Sequence, residues 1–264
     1  MKLNTVAAGR GVHWVAAGWR AFARKPLAFT GLFAFFLFIA MAATLVPWVG
    51  PVLMLTTLPL VSLGFMIATR EAQSGRFPAP GVFIAPLRGD PMRRRALIRL
   101  GLIYAAASVV IMLFSQLIDD GRLSDWMQLL GSAKPEDIER AAELAADPRL
   151  MGGLLTSVTL VSLLAVPFWH APALVHWAGQ GVAQSLFSST LALWRNRGAF
   201  AVYMLVWTAL LIAFSVTTGV LMSLLGARQM IVLLALPAGL TFSTVFYASL
   251  YFTFEDCFSS DAAN

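Results

Sequence analysis

Leu27-Ala28-Phe29-Thr30-Gly31-Leu32-Phe33-Ala34-Phe35-Phe36-Leu37-Phe38-Ile39-Ala40-Met41-Ala42-Ala43-Thr44-Leu45-Val46 runs for twenty residues without one charge. At 1.5 Å rise per residue, about 20 residues in helical form cross a hydrocarbon core of roughly 30 Å. Five further runs of this kind follow at 49–69, 96–118, 150–178, 199–225 and 229–254. None holds Asp, Glu or Lys, and Arg occurs only at Arg99, near the start of the third. The chain therefore reads as all-α, a polytopic transmembrane helical bundle of six spans forming a single integral membrane domain over 1–264.

Composition agrees. The chain is 59% hydrophobic and 12% charged, with a mean hydropathy of +0.77. Soluble domains carry about 25% charged residues, so a soluble bundle would lack the polar residues to coat six apolar helices. The single cysteine, Cys257, excludes an intrachain disulfide.

The net charge of +6 is spent at span ends, which argues against nucleic acid as a partner and gives the topology. Lys2, Arg10, Arg20, Arg24 and Lys25 precede the first span with no acid among them. Arg70, Arg76, Arg88, Arg93, Arg94, Arg95 and Arg99 cluster between spans two and three, and Arg195 and Arg197 lie between spans four and five. On the other side, 47–48 is uncharged, 226–228 offers only Arg228, and 119–149 has eight acidic residues. Basic residues in short loops stay cytoplasmic, so both termini are expected in the cytoplasm of a bacterial cell inner membrane. Arg93, Arg94 and Arg95 read as a topology anchor or as a contact for anionic lipid headgroups. The first apolar run is longer than a signal-peptide core and follows 26 residues, so an uncleaved first span is expected.

A pattern recurs before spans one and five. Val15, Trp19 and Phe22 share one side of a stretch whose other side carries Arg20 and Arg24, and Trp194 and Arg195 end a similar stretch from Ala183. Each is an amphipathic helix suited to the membrane interface, anchored by Trp19 and Phe22 or by Trp194 and Arg195. The spans that return inward carry prolines: Pro59 in the second, Pro167 and Pro172 in the fourth, Pro237 in the sixth. This reads as three hairpins repeated in parallel. A proline leaves a carbonyl without its donor, and Thr57, Ser62, Thr241, Ser243 and Thr244 stand near enough to satisfy such carbonyls or to line a small polar cavity. Thr57, Pro59, Ser62, Pro167, Pro172, Pro237 and Ser243 are thus the candidate break and cavity residues.

The outward segment 119–149 reads as a connector with a short helix near 135–147, Ser132 at its start and Trp126 at the interface. Enzyme and cofactor signatures are missing: there is no G-x-S-x-G, H-E-x-x-H or P-loop, so neither catalysis nor a cofactor is expected. His170 and His176 are six apart without a companion carboxylate or cysteine, which is not metal spacing for one helix. No ionisable residue other than these two occurs inside a span except Arg99, which argues against proton- or sodium-coupled transport. Small residues such as Ala105, Ala106, Ala107 and Gly219 offer surfaces for close packing, within the chain or in self-association.

Four motifs carry a resemblance: Gly18-Trp19-x-x-Phe22-x-x-x-Pro26, Phe168-x-x-x-Pro172-Ala173-Leu174, Ala183-x-Ser185-x-x-Ser188, and Arg195-Asn196-x-x-Ala199-Phe200-x-x-Tyr203. Through them the chain resembles a family of uncharacterised proteobacterial inner-membrane proteins, common in the beta branch and loosely related to other membrane domains of unknown function. The resemblance implies an inner-membrane location with several spans and carries over no activity. A scaffold or envelope-associated role is expected first, with a protein partner or self-association. The alternative is a channel-like or uniport transporter of a small neutral solute through spans two, four and six.

Overall fold

The computed structural model describes residues 1–47, 49–132, 134–226 and 231–259; Trp48, Arg228 and Asp261 lie outside them. The two-residue strand β1, Lys2–Leu3, leads into α1, Arg10–Arg24, then α2, Pro26–Thr44, and α3, Val49–Gln73. A 3-10 turn at Pro80–Phe83 and the short α4, Ala85–Arg88, precede α5, Pro91–Asp119. Next come α6, Arg122–Gly131, α7, Pro135–Ala145, and α8, Pro148–Phe168. The remaining elements are α9, Ala171–Ala178, α10, Val182–Arg195, α11, Arg197–Leu224, α12, Ile231–Cys257, and β2, Phe258–Ser259.

Among the described residues, six helical stretches are long and apolar enough to cross a membrane: α2, α3, α5, α8 with α9, α11, and α12 from Leu233. Their boundaries follow local chemistry. Asp90 and Asp147 each cap a span by accepting the backbone N–H two residues on, from Met92 at 2.9 Å and Arg149 at 2.8 Å, and a proline fills the first helical position after each. Pro26 likewise opens α2. Leu37, Met41, Leu117, Leu155, Leu205 and Leu236 are all exposed on these helices, an amount of apolar surface that suits lipid rather than water.

Packing is uneven along the bundle axis. The buried residues of α2 end at Phe33 and those of α11 at Trp207, so both helices are packed near their starts and exposed beyond. The core lies toward the end where β1 pairs antiparallel with β2, bringing the two terminal segments together. Arg70, at the end of α3, sits 5.7 Å over the Trp177 ring, and Arg93 Nη1 donates to the His176 carbonyl at 3.0 Å. This is therefore also the basic end.

The spans do not form three equivalent hairpins. α2 packs on α3, and α5 packs along α8. α11 and α12 meet through side chains such as Trp207 and Phe246, and α1 lies against both. It can do so because its contact face is nearly smooth. A Cβ on Gly11 would stand 2.3 Å from the Ala199 carbonyl, and one on Gly18 would stand 2.7 Å from Ser249 Cβ. Gly11, Trp14, Val15, Ala17, Gly18 and Ala21 are buried there. The face expected to meet lipid, that of Val15, Trp19 and Phe22, is turned partly inward: Trp19 lies edge-on to Phe242 at 5.9 Å.

Candidate functional site

Spans two, three, four and six all contribute to one small cavity. A cavity of about 140 Å³ is lined by Leu58, Pro59 and Ser62 of α3, Tyr104 of α5, Ala165, Phe168 and Trp169 around the end of α8, and Phe246, Tyr247 and Leu250 of α12. Of the seven candidate break and cavity residues, Pro59 and Ser62 line it. Thr57, Pro167, Pro172, Pro237 and Ser243 do not, and Pro237 is exposed on the outer half of α12. The hydroxyls near the prolines are also placed differently. Thr57 donates to the Met54 carbonyl at 2.8 Å, Ser62 to Pro59 at 2.9 Å, Thr241 to Pro237 at 2.8 Å and Thr244 to Leu240 at 2.6 Å. They bond within their own helices to carbonyls other than those of Leu55 and Leu233, which the prolines release.

In the fourth span the turn opened ahead of Pro172 is filled by a hydroxyl from another helix. α8 ends at Phe168, and Pro172 sits in the first turn of the separate α9. In an unbroken helix His170 N–H would donate to the Val166 carbonyl. Instead Ser189 Oγ of α10 stands between them, accepting from His170 N at 3.0 Å and donating to the Val166 carbonyl at 3.1 Å. An inserted side chain is one of the few causes of a sharp kink. The helix turn thus released points Trp169 and His170 toward α12. Thr253 donates to the Leu250 carbonyl at 2.8 Å, so its oxygen accepts from Trp169 Nε1 at 3.3 Å and from His170 Nε2 at 3.0 Å. His170 Nδ1 is buried without a hydrogen bond among the described residues, beside the rings of Phe200, Phe254 and Phe258.

A second polar knot ties α1 and the N-terminal segment to the bundle. Asp256 accepts Arg10 Nε and Nη2, one on each oxygen and both at 2.7 Å, and Trp14 Nε1 at 2.6 Å. The hydrogen bond to Asp256 raises the Arg10 guanidinium pKa further, against partial desolvation. Asn196, between α10 and α11, accepts from Val6 N at 2.8 Å and donates to the Asn4 and Ala192 carbonyls at 3.0 Å. It is Asn196, with φ −105° and ψ 21°, that breaks the helix there; Gly198 is already inside α11. Trp194 and Arg195 remain exposed at this corner, with Arg197 5.4 Å over the Trp194 ring.

At the opposite end, 119–149 folds as two short helices rather than one. Trp126 Nε1 donates to the Ala141 carbonyl at 3.0 Å and so joins α6 to α7. Ser132 does not cap α7; its hydroxyl lies 2.5 Å from Asp137 Oδ2. Arg122 bridges Asp147 at 2.8 Å and Asp120 at 3.3 Å, and Arg149 reaches Asp120 at 2.5 Å. The backbone amide of Arg149, then Arg122, hold the Asp147 carboxyl below its usual pKa against a smaller desolvation effect. Beneath this cap a cavity of about 530 Å³ includes Ser115, Asp119 and Ser157 in its lining.

The arginine run divides. Arg93 and Arg95 line a groove of about 670 Å³ together with Arg99, Gln180 and Val182, while Arg94 is not among its lining residues. Among the described residues, no three of His, Cys, Asp and Glu come together as metal ligands.

No family model matches the chain, and no solved structure matches it. A protein of Burkholderia thailandensis, described as a probable inner membrane protein, is 33% identical over 261 residues, covering 98% of this chain and 94% of that one. Likeness at that level over 98% of the chain shows that it belongs to this proteobacterial family of multi-pass inner-membrane proteins.

Proposed function

We propose that the protein is a structural, scaffold-type component of the inner membrane, with both termini in the cytoplasm, and that it provides no path for a solute. The observation that carries this reading is the cavity where the three proline-broken spans meet. At about 140 Å³, with an aromatic lining and no charged side chain, it is well below the roughly 300–1,000 Å³ of ligand pockets. The polar groups beside it support the same reading, since they are used inside their own helices or in ties between helices. The orientation rests on the excess of arginine at the end where the terminal segments meet.

The runner-up is a uniporter for a small neutral solute, favoured by Ser62 and Tyr104 facing that cavity from spans two and three. The test is thermal unfolding of the detergent-purified protein across a panel of metabolites, with solute flux measured in reconstituted vesicles. The scaffold reading expects no saturable stabilisation by soluble compounds and flux equal to empty vesicles. A saturable shift or flux that Ser62→Ala abolishes would replace it with the uniporter.

A further inference from the structure

We propose that the groove between the first turns of α5 and the turn leading into α10 is a binding site for the phosphodiester headgroup of an anionic phospholipid. The groove is about 670 Å³ and brings Arg93, Arg95 and Arg99 against Gln180 and Val182, with Asp90 as its one acid. Three guanidinium groups against one carboxylate leave net positive charge, and Asp90 stands 3.8 Å from Arg93. Arg93 is already anchored on the His176 carbonyl, so its fork is held at the wall. Arginine suits this role because its planar donors pair with phosphate oxygens two at a time.

The axial order of residues specifies a lipid. Arg95, Arg99, Leu102 and Ile103 recur at helical spacing along one stripe of α5, basic first and apolar after. Leu102 is 55% and Ile103 44% exposed, and both line the groove. A phospholipid has this sequence of chemistry: a phosphate at the membrane surface, then hydrocarbon along the helix. A free phosphate or nucleotide has no use for the apolar half. Gln180 adds a further mark, since its side-chain oxygen is buried with no donor among the described residues. Rotation of the amide would let it accept from a headgroup hydroxyl, as glycerol headgroups carry.

The test uses the full chain purified in detergent, with thermal unfolding followed against phosphatidylglycerol, phosphatidylethanolamine and inorganic phosphate. Phosphatidylglycerol is expected to raise the midpoint saturably, as any ligand confined to the folded state does, and the other two are expected not to. At about 1 kcal/mol for each basic residue near an anionic surface, Arg95→Gln with Arg99→Gln should weaken the apparent affinity by about thirtyfold. Each single substitution should weaken it by about fivefold, which preserves the test if the double variant does not fold. Arg94→Gln removes the same charge outside the groove and should leave the affinity unchanged. Equal weakening by Arg94→Gln, or none by the groove variants, overturns the site. Inorganic phosphate that competes with the lipid and reproduces its shift overturns the lipid as ligand.

Discussion

Replacing Asp256 with alanine tests whether α1 is held as part of the bundle. The carboxylate takes three donors, two from Arg10 and one from Trp14. Trp14 is completely buried, so its indole N–H would find no water on losing Asp256, a penalty of about 1–3 kcal/mol. Arg10 is 41% exposed and would regain solvent, so its loss is nearer to about 0.5–1 kcal/mol. Together these give roughly 2–4 kcal/mol. Thermal unfolding in detergent, at about 2–4 °C per kcal/mol for a chain of this length, should show the midpoint fall by roughly 5–15 °C. Asp256→Asn keeps an acceptor for Trp14 and should lose less. The cycle with Arg10→Ala identifies the cause: the arginine substitution should cost about 0.5–1 kcal/mol in the native background and almost nothing once Asp256 is gone. A midpoint within 2 °C of native, about 1 kcal/mol or less, or an arginine effect equal in both backgrounds, would show that α1 is held by its apolar face alone.

Ser189→Ala removes the hydroxyl wedged between Val166 and His170, and should destabilise by about 1–3 kcal/mol for the buried groups left unpaired; an unchanged midpoint would mean that the helix closes its own bond. Gly11→Ala and Gly18→Ala should each cost about 1–3 kcal/mol through overpacking, with Gly11→Ala the worse because backbone atoms of Ala199 and Tyr203 stand in the way. Gly9→Ala, which meets nothing within 4 Å, is the matched control. For Asp147 the folded pKa is depressed from 3.8, so its contribution is present above about pH 4 and is lost as pH falls through the depressed value. Hydrogen exchange across 119–149 should therefore quicken between pH 5 and pH 3, each rate corrected for intrinsic exchange, and Asp147→Asn should remove that dependence.

The spans were legible because a charge-free run of twenty residues has few physical uses, although the apolar runs from 96 and 150 begin inside helices that start at Pro91 and Pro148. The position of α1 was not. A helix with Trp14, Trp19 and Phe22 on its surface can lie on a bilayer or wedge between helices, and its local pattern is the same in both cases. What decides is the match of Gly11 to Ala199 and of Gly18 to Ser249, far apart in the chain and invisible to any local window. Asp256 was missed for the same reason: read in sequence it is one of several acids near the C-terminus, and only the fold sets it on Arg10 and Trp14. Pro172 is a break by sequence, and α8 ends at Phe168 in the turn before it; that Ser189 of α10 fills the opened turn is a contact no local window shows. Pro59 and Ser62 were placed on the cavity; its small size and aromatic lining depend on Phe246 and Tyr247 from a helix no proline count could position.

The serines, threonines and asparagine near the basic end of this bundle also bear on why the space where the proline-broken spans meet is small and mostly apolar. Each apolar span satisfies its own backbone, so helices in lipid need other means to be held together, and small residues and side-chain hydrogen bonds supply them. Ser189, Thr253, Asn196 and Thr69 all serve in that way here, the last donating to both the Phe65 and Ala248 carbonyls. A hydroxyl bonded to a carbonyl of its own or a neighbouring helix has no donor left for a solute. The density of such ties is highest toward the basic end, where the core also lies. The exposed outer halves of α2 and α11 show what the same kind of helix does without them: they are left to lipid. The polar residues of the spans therefore record where the bundle is fastened, and a search for its partners begins at the surfaces they leave uncovered.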